Sequence, residues 1–179
     1  MRTFIAIDLP AEIKAQVSQL QKQLKDKLPA LSWTRPENFH LTLLFLGERT
    51  KNELEGIINI LDRIPWPGAF TFALDKLELF GTYSRPKVLW LGPGEGREEL
   101  GKLGGLVRCA LGEEEPFAPH LTLARFRNQK PRDIKSILGP VAENILVPVH
   151  EVTLFESKLG AGPPRYIPIK KWMLEGDKK

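Results

Sequence analysis

The sequence predicts an α+β protein with two similar lobes, each an antiparallel sheet flanked by helices, around a central cleft. Three observations carry that prediction. Short apolar runs of strand length alternate with longer amphipathic stretches of helix period. The order strand, helix, strand, helix, strand occurs twice, in roughly residues 1–92 and 93–179. The tetrapeptide His-Leu-Thr-Leu stands at 40–43 and again at 120–123, an offset of 80 residues and at equivalent places in both halves. Two copies define one internal duplication, not a solenoid array. No Pro-, Ser- or Gly-rich linker is long enough to separate the halves, so residues 1–179 are read as a single domain with a pseudo-twofold axis.

Phe4–Ile7 has the uninterrupted apolar character of a buried strand and ends at Asp8-Leu9-Pro10. A helix follows with Pro10 or Ala11 in its first turn and Ile13, Val17, Leu20, Leu24 and Leu28 on one stripe. Pro29 and Pro36 bracket a connector carrying Trp33 and Arg35. Phe39–Leu46 is the first His-bearing strand, stopped by Gly47. Thr50 and Glu53 make a capping box that opens a second helix, with Leu54, Ile57, Ile58 and Leu61 inward, and Pro65-Trp66-Pro67-Gly68 breaks it. Strands at Phe70–Phe80 and Lys87–Leu91 flank a turn near Ser84-Arg85-Pro86. Beyond the Gly92–Gly96 loop, a helix from about Arg97 to Leu111 presents Leu100, Leu103, Val107 and Ala110. Ala118–Phe126 is the second His-bearing strand, and Pro131 opens a helix with Ile134, Ile137, Leu138 and Val141 inward. Ile145–Phe155 and Tyr166–Leu174 close the chain as strands, joined through Gly160-Ala161-Gly162-Pro163-Pro164.

Composition narrows the classes of function. With 42% hydrophobic and 27% charged residues, the chain is globular rather than disordered. Its longest apolar runs, such as Leu41–Leu46 and Val88–Leu91, fall far short of the ~18–20 residues of a membrane span, so no membrane partner is expected. The N-terminal apolar stretch lacks a cleavage-site pattern, and a cytoplasmic location is the expectation. The single Cys109 rules out an internal disulfide and a Cys-based zinc site. Lys and Arg number 26 against 22 acidic residues, a net +4 that suits a polyanionic ligand.

Only three histidines occur, and two of them head the repeated motif. On a strand, alternation sends His40 and Thr42 to one face and Leu41 and Leu43 to the other; His120 and Thr122 part from Leu121 and Leu123 in the same way. Lobes facing each other would bring two imidazoles and two hydroxyls into one cleft. Near neutral pH imidazole serves as either proton acceptor or donor. Phosphoryl transfer needs both, one to activate the nucleophile and one to protonate the departing oxygen. Threonine hydroxyls can hydrogen-bond the non-bridging oxygens as charge develops there.

Other chemistries lack support. No carboxylate or thiol stands at ligand spacing from these histidines, no Gly-x-Ser-x-Gly elbow occurs, and Gly92–Gly96 lacks the Lys-Ser/Thr of a P-loop. Neither metal nor cofactor is expected. His150 is followed by threonine at the third position instead of the second, and is read as structural or surface. Trp33, Phe39, Tyr83 and Tyr166 are candidates to stack on a base, with core packing the competing reading. Arg35, Arg85 and Arg165 lie in connectors, where they could meet a nucleic-acid backbone or only solvent.

The paired motifs resemble those of the two-histidine (2H) phosphoesterase superfamily, which is defined by two His-x-Thr-x motifs in a bilobal duplicated fold. Within it the chain is most similar to the RNA 2′,3′-cyclic phosphodiesterases, also called 2′-5′ RNA ligases. The similarity is carried by Arg2-Thr3-Phe4-Ile5-Ala6-Ile7, by Trp33 through Gly47, by the second motif running into Ala124-Arg125-Phe126, and by Glu156-Ser157-Lys158-Leu159 with Tyr166. The resemblance implies metal-independent hydrolysis of 2′,3′-cyclic phosphate ends to 2′-phosphate ends, with RNA or a nucleotide bearing such an end as partner. It implies that His40 protonates the 3′ oxygen, that His120 takes a proton from water, and that Thr42 and Thr122 hold the phosphate oxygens. Motif symmetry alone does not assign acid and base. It further implies a phosphate-binding Arg125, with Arg127 as a weaker alternative; strand parity puts Arg125 on the leucine side, so a bulge or the strand's end must turn it into the cleft. The first repeat has Phe45 at the matching position. Run in reverse, the same site would cleave or join 2′-5′ linkages, and a binding module without chemistry is the remaining alternative. A monomer is expected.

Overall fold

A computed structural model of the chain describes residues 1–127, 134–160 and 162–174. Its first half contains β1 (Arg2–Asp8), α1 (Ala11–Lys27), β2 (Ser32–Trp33), β3 (His40–Glu48), α2 (Lys51–Leu61), β4 (Phe70–Thr82) and β5 (Arg85–Pro93). Its second half contains α3 (Arg97–Ala110), β6 (Leu121–Arg125), β7 (Gly139–Val149), β8 (Glu151–Lys158) and β9 (Arg165–Met173).

The elements form where local chemistry directs them. In α1, Ile13, Val17 and Leu24 fall on the buried stripe. Thr50 and Glu53 complete the capping box of α2: the Thr50 hydroxyl accepts from the Glu53 amide, and the Glu53 carboxylate accepts from Thr50. Ahead of α3, Gly96 adopts φ +75, and a Cβ there would lie 2.6 Å from the Thr71 carbonyl oxygen. Only glycine fits that corner.

Strands run in the order β7-β4-β5-β6-β3-β1-β8-β9, with β2 on β6, and every pairing is antiparallel. Within this nine-stranded sheet, β9-β8-β1-β3 and β6-β5-β4-β7, the latter with β2 added on β6, are joined at a single residue pair, Leu41 opposite Leu121. Each lobe therefore takes strands from both halves of the sequence. The helices cross over as well: α1 packs against β7, while α3 lies against β3 and β4 with α2 beside it. One continuous core holds Leu41, Leu43, Leu121 and Leu123, all essentially inaccessible. A small second cluster of Phe4, Ala6 and Phe155, with Tyr166 against it, lies apart from that core.

Three expectations are corrected. Ile145–Phe155 is not one strand: β7 ends at Val149 and pairs with β4, whereas β8 starts at Glu151 and pairs with β1. The buried alternation Ile145, Val147, Val149 slips parity at exposed His150 before resuming at Val152 and Leu154, and the chain changes lobe there. The expected helix after Pro131 is a single 3₁₀ turn at Ile134–Ile137, and Val141 belongs to β7. Gly139 at φ +119 and Pro140, which lacks an N–H, end that turn; Pro131 itself and Ala161 lie outside the described residues. The Pro29–Pro36 connector contains β2, which pairs with Ala124 and Arg125 of β6, and leads into a 3₁₀ turn at Pro36–Asn38. No described helix is long and apolar enough to cross a membrane.

Candidate active site

The pair Leu41–Leu121 fixes the geometry of the cleft. Both leucines are buried on the core face. Continuing that antiparallel register by one residue in each direction sets His40 opposite Thr122 and Thr42 opposite His120. The pseudo-twofold axis thus passes between the leucines, and each motif's histidine stands in register opposite the other motif's threonine.

Both imidazoles are oriented in the same way. The carbonyl two residues upstream, of Asn38 in one motif and Ala118 in the other, accepts from Nδ1 at 2.8 Å. This bond assigns the proton of each neutral ring to Nδ1 and makes Nε2 the acceptor nitrogen. At rest Thr42 Oγ1 donates to His40 Nε2 at 3.0 Å. Aromatic rings hold the imidazoles from the side. His40 lies 4.9 Å from Phe4 and edge-on to Tyr166 at 5.0 Å, while His120 lies edge-on to Phe80 at 4.8 Å, which stacks on Trp90.

A duplicated bulge settles the parity of Arg125. From Ile5 to Ala6 on β1, the partner on β3 moves two residues, from Leu44 to Thr42. From Leu89 to Trp90 on β5, the partner on β6 likewise moves two, from Ala124 to Thr122. Each motif strand therefore carries one extra residue just after its threonine, Leu43 in one and Leu123 in the other. Downstream side chains change face, so Phe45 and Arg125 join the threonines on the cleft side, and both line the cavity there. The bulge frees a carbonyl from the ladder, and a side chain from the opposite half of the sequence satisfies it. Leu43 O accepts from Arg108 Nη1 of α3 at 3.3 Å. Leu123 O accepts from the Thr34 amide at 2.9 Å and from Gln21 Nε2 of α1 at 3.2 Å. Buried Gln21 also donates to Thr34 O at 2.8 Å.

The cleft encloses about 600 Å³ and is lined by both motifs together with Trp33, Arg35, Phe45, Arg125, Arg127, Tyr166 and the Gly162–Pro164 loop. Asn38 pins this loop by donating to Pro164 O at 2.9 Å. Burial lowers the pKa of His40 from 6.5 to about 4; the Asn38 carbonyl and the Asp8 carboxylate oppose this shift, while Lys14 and His120 add to it. Burial also lowers that of His120, with the Ala118 carbonyl opposing and Arg125 adding a smaller push in the same direction. Both rings are therefore neutral at pH 7 in the free protein. Burial raises the Tyr166 phenol.

All five residues singled out from sequence, His40, Thr42, His120, Thr122 and Arg125, line this one cavity. Trp33, Tyr166, Arg35 and Arg127 line it too. Phe39 is instead core, Tyr83 is exposed beneath the Lys135 ammonium, and Arg85 and Arg165 begin β5 and β9. Among the described residues no cluster of three or more His, Cys, Asp or Glu could hold a metal. The flanking rings Phe4, Phe80 and Trp90 and the anchors Gln21 and Arg108 went unread in the sequence. The apolar doublets Leu43-Leu44 and Leu123-Ala124, which interrupt alternation at the same offset, were the available signal.

Fold and site together define a duplicated α+β protein whose two lobes present paired His-Thr motifs to a shared cleft. A family model described as LigT like Phosphoesterase matches the chain twice, over residues 7–90 and 91–166. The chain belongs to the LigT-like phosphoesterase family. It is 34% identical to the RNA 2′,3′-cyclic phosphodiesterase of Escherichia coli K12, over 97% of this chain and 96% of that protein. It is 32% identical to the one from Thermotoga maritima, over 98% and 97%. Among solved structures, E. coli LigT complexed with 3′-AMP superposes with a TM-score of 0.80 at 32% identity, covering 97% of both chains. A structure from Thermus thermophilus gives 0.83 at 28% identity, covering 99% of this chain and 100% of that one. The E. coli protein has also been crystallised with phosphate, ATP and NADP⁺.

Proposed function

We propose that this protein hydrolyses the 2′,3′-cyclic phosphate end of RNA to a 2′-phosphate end by acid–base catalysis from its two His-x-Thr-x motifs. The observation that carries this reading is the matched pair of imidazoles, each with Nδ1 bound to a carbonyl and its ring lining the cleft, related by the axis through Leu41 and Leu121. His120 Nε2 takes a proton from the attacking water, whose oxygen bonds to phosphorus. The bond from phosphorus to the 3′ oxygen breaks, and His40 delivers a proton to that oxygen. Thr42, Thr122 and Arg125 hydrogen-bond the non-bridging oxygens, where charge gathers in the transition state.

Burial dominates the resting state of both rings. Beneath it the Asp8 carboxylate favours the protonated form of His40 while Lys14 and His120 oppose it, and the Arg125 guanidinium disfavours the protonated form of His120. A bound anionic phosphate raises both rings from their depressed resting values, which favours a protonated acid once substrate is seated. Phe45, 62% exposed on the cleft wall, offers a flat apolar face to a base. Support also comes from the names of the relatives, and from the 3′-AMP and phosphate complexes of the E. coli protein.

The test is turnover of an RNA ending in 2′,3′-cyclic phosphate in excess chelator, with the product resolved as a 2′- or 3′-phosphate. Continued turnover to a 2′-phosphate is expected, with kcat/KM lowered roughly 10²–10⁴-fold in His40→Ala and in His120→Ala. Full activity in both variants would sink the reading.

A further inference from the structure

The cleft is not the end of the concave surface. A second cavity of about 610 Å³ opens beside it, and the two share Phe45, Arg125, Pro164 and Tyr166 as a common wall. Its far side is built by Arg2 and Thr3 of β1 with Gly47 and Glu48 at the end of β3. Both cavities fall within the ≈ 300–1,000 Å³ range of ligand sites.

The lining of the second cavity is suited to single-stranded nucleic acid. Phe45 and Leu159 present exposed apolar surface, 62% and 68% accessible respectively. Arg2 and Arg125 supply cations and Ser157 a hydroxyl. The one lining carboxylate, Glu48, lies 3.3 Å from the Met1 ammonium, which offsets its charge. Both guanidiniums also act on the Tyr166 hydroxyl, so their fields overlap at the shared wall. A combination of cationic groups with an exposed aromatic face, here Phe45, follows an RNA backbone while a base stacks.

An RNA end seated between the histidines must carry its 5′-linked chain out of the cleft. We propose that the second cavity is a subsite for the nucleotide preceding the cyclic-phosphate end, with Arg2 binding the phosphodiester beyond it. This rests on the function proposed above and adds to it a length preference, oligonucleotides over cyclic mononucleotides, set by Arg2 and the second cavity. A mononucleotide fills only the first cavity, whereas a chain of two or more nucleotides fills both.

The experiment compares kcat/KM for adenosine 2′,3′-cyclic phosphate with that for a fluorescein-labelled triadenylate ending in 2′,3′-cyclic phosphate. The wild-type protein is expected to favour the triadenylate at least about tenfold, the scale of one charge-assisted contact. Arg2→Ala should lower that ratio about tenfold and Arg2→Lys should recover part of it. Arg2 is exposed, so melting temperatures should stay near wild type. In parallel, anisotropy titrations of the same RNA ending in a 2′-phosphate read binding without turnover. In Arg2→Ala the slope of log affinity against log salt should be shallower by about 0.7, the loss of one phosphate contact on a single strand. Turnover with an unchanged ratio and slope overturns the subsite and leaves the hydrolysis standing. No turnover of either substrate, with a slope that still depends on Arg2, overturns the hydrolysis and keeps the subsite. No turnover and an unmoved slope removes both.

Discussion

His40 carries the sharpest consequence at the scale of a single residue. Its resting pKa of about 4 and the depressed value of His120 bound the pH range in which one ring is protonated and the other neutral. Expressed as kcat/KM, activity should therefore peak on the acid side of 6.5 and fall as rising pH leaves both rings neutral. The kcat profile should lie at higher pH, because bound phosphate favours both imidazoliums. Paired pH–rate profiles check this, and a kcat/KM maximum above pH 7.5 would contradict it. Stability responds as well. Between pH 6.5 and about 4 the unfolded chain binds a proton that folded His40 does not, so stability should drop as pH falls through that window. The full shift is worth about 2–3 kcal/mol for this partly accessible ring. Urea unfolding at pH 4.5 and 7 should show the drop, and His40→Gln should reduce it. The residues themselves were legible: two identical tetrapeptides at matching places named four of the five candidate site residues, all of which line the cleft. Their protonation was not legible, because it depends on burial and on Asp8, Lys14 and Arg125, none of them next to the histidine in sequence.

At the scale of elements, the bulges at Leu43 and Leu123 decide which side chains reach the cleft. Strand alternation alone put Arg125 on the wrong face; its position in the cleft depends on one extra residue and on the carbonyl that residue releases. Gln21→Leu removes two hydrogen bonds, a part-buried one to Thr34 O and a buried one to Leu123 O, and should cost about 1–3 kcal/mol in urea unfolding. Without that anchor β6 can drop its bulge and carry Arg125 toward the core side. KM should then rise by a larger factor than kcat falls, with the pH profile unmoved. A proportionate loss in both would show a general loosening instead. The anchors were illegible because Gln21 and Arg108 lie 102 and 65 residues from the carbonyls they serve. The cap of α2, by contrast, depends on a spacing of three residues and was legible directly.

For the whole molecule, the exchange of strands and helices makes each lobe depend on both halves of the sequence. Residues 1–92 alone would leave β1 without β8, β4 without β7 and β5 without β6. That fragment should show little native far-UV circular dichroism by itself and gain it on mixing with 93–179. Two independently folded halves would contradict the interleaving. The duplication and the α+β class were legible because both rest on local periodicity repeated in order. The lobe assignment of β7 and β8 was not, because only one exposed residue, His150, separates strands that end in different lobes.

The position following each bulge has a consequence for the sense of the reaction. A cleft with perfect twofold symmetry would accept a phosphate end in either of two orientations and could not tell attacking side from leaving side. Bulge, carbonyl lock and threonine are all duplicated here, but the next cleft-facing position holds Phe45 on one strand and Arg125 on the other. A flat apolar face against a cation joins the unlike rings around the two histidines as a difference between the repeats. The orientation in which an otherwise symmetric cleft would receive a phosphate end is thus biased where the two repeats differ.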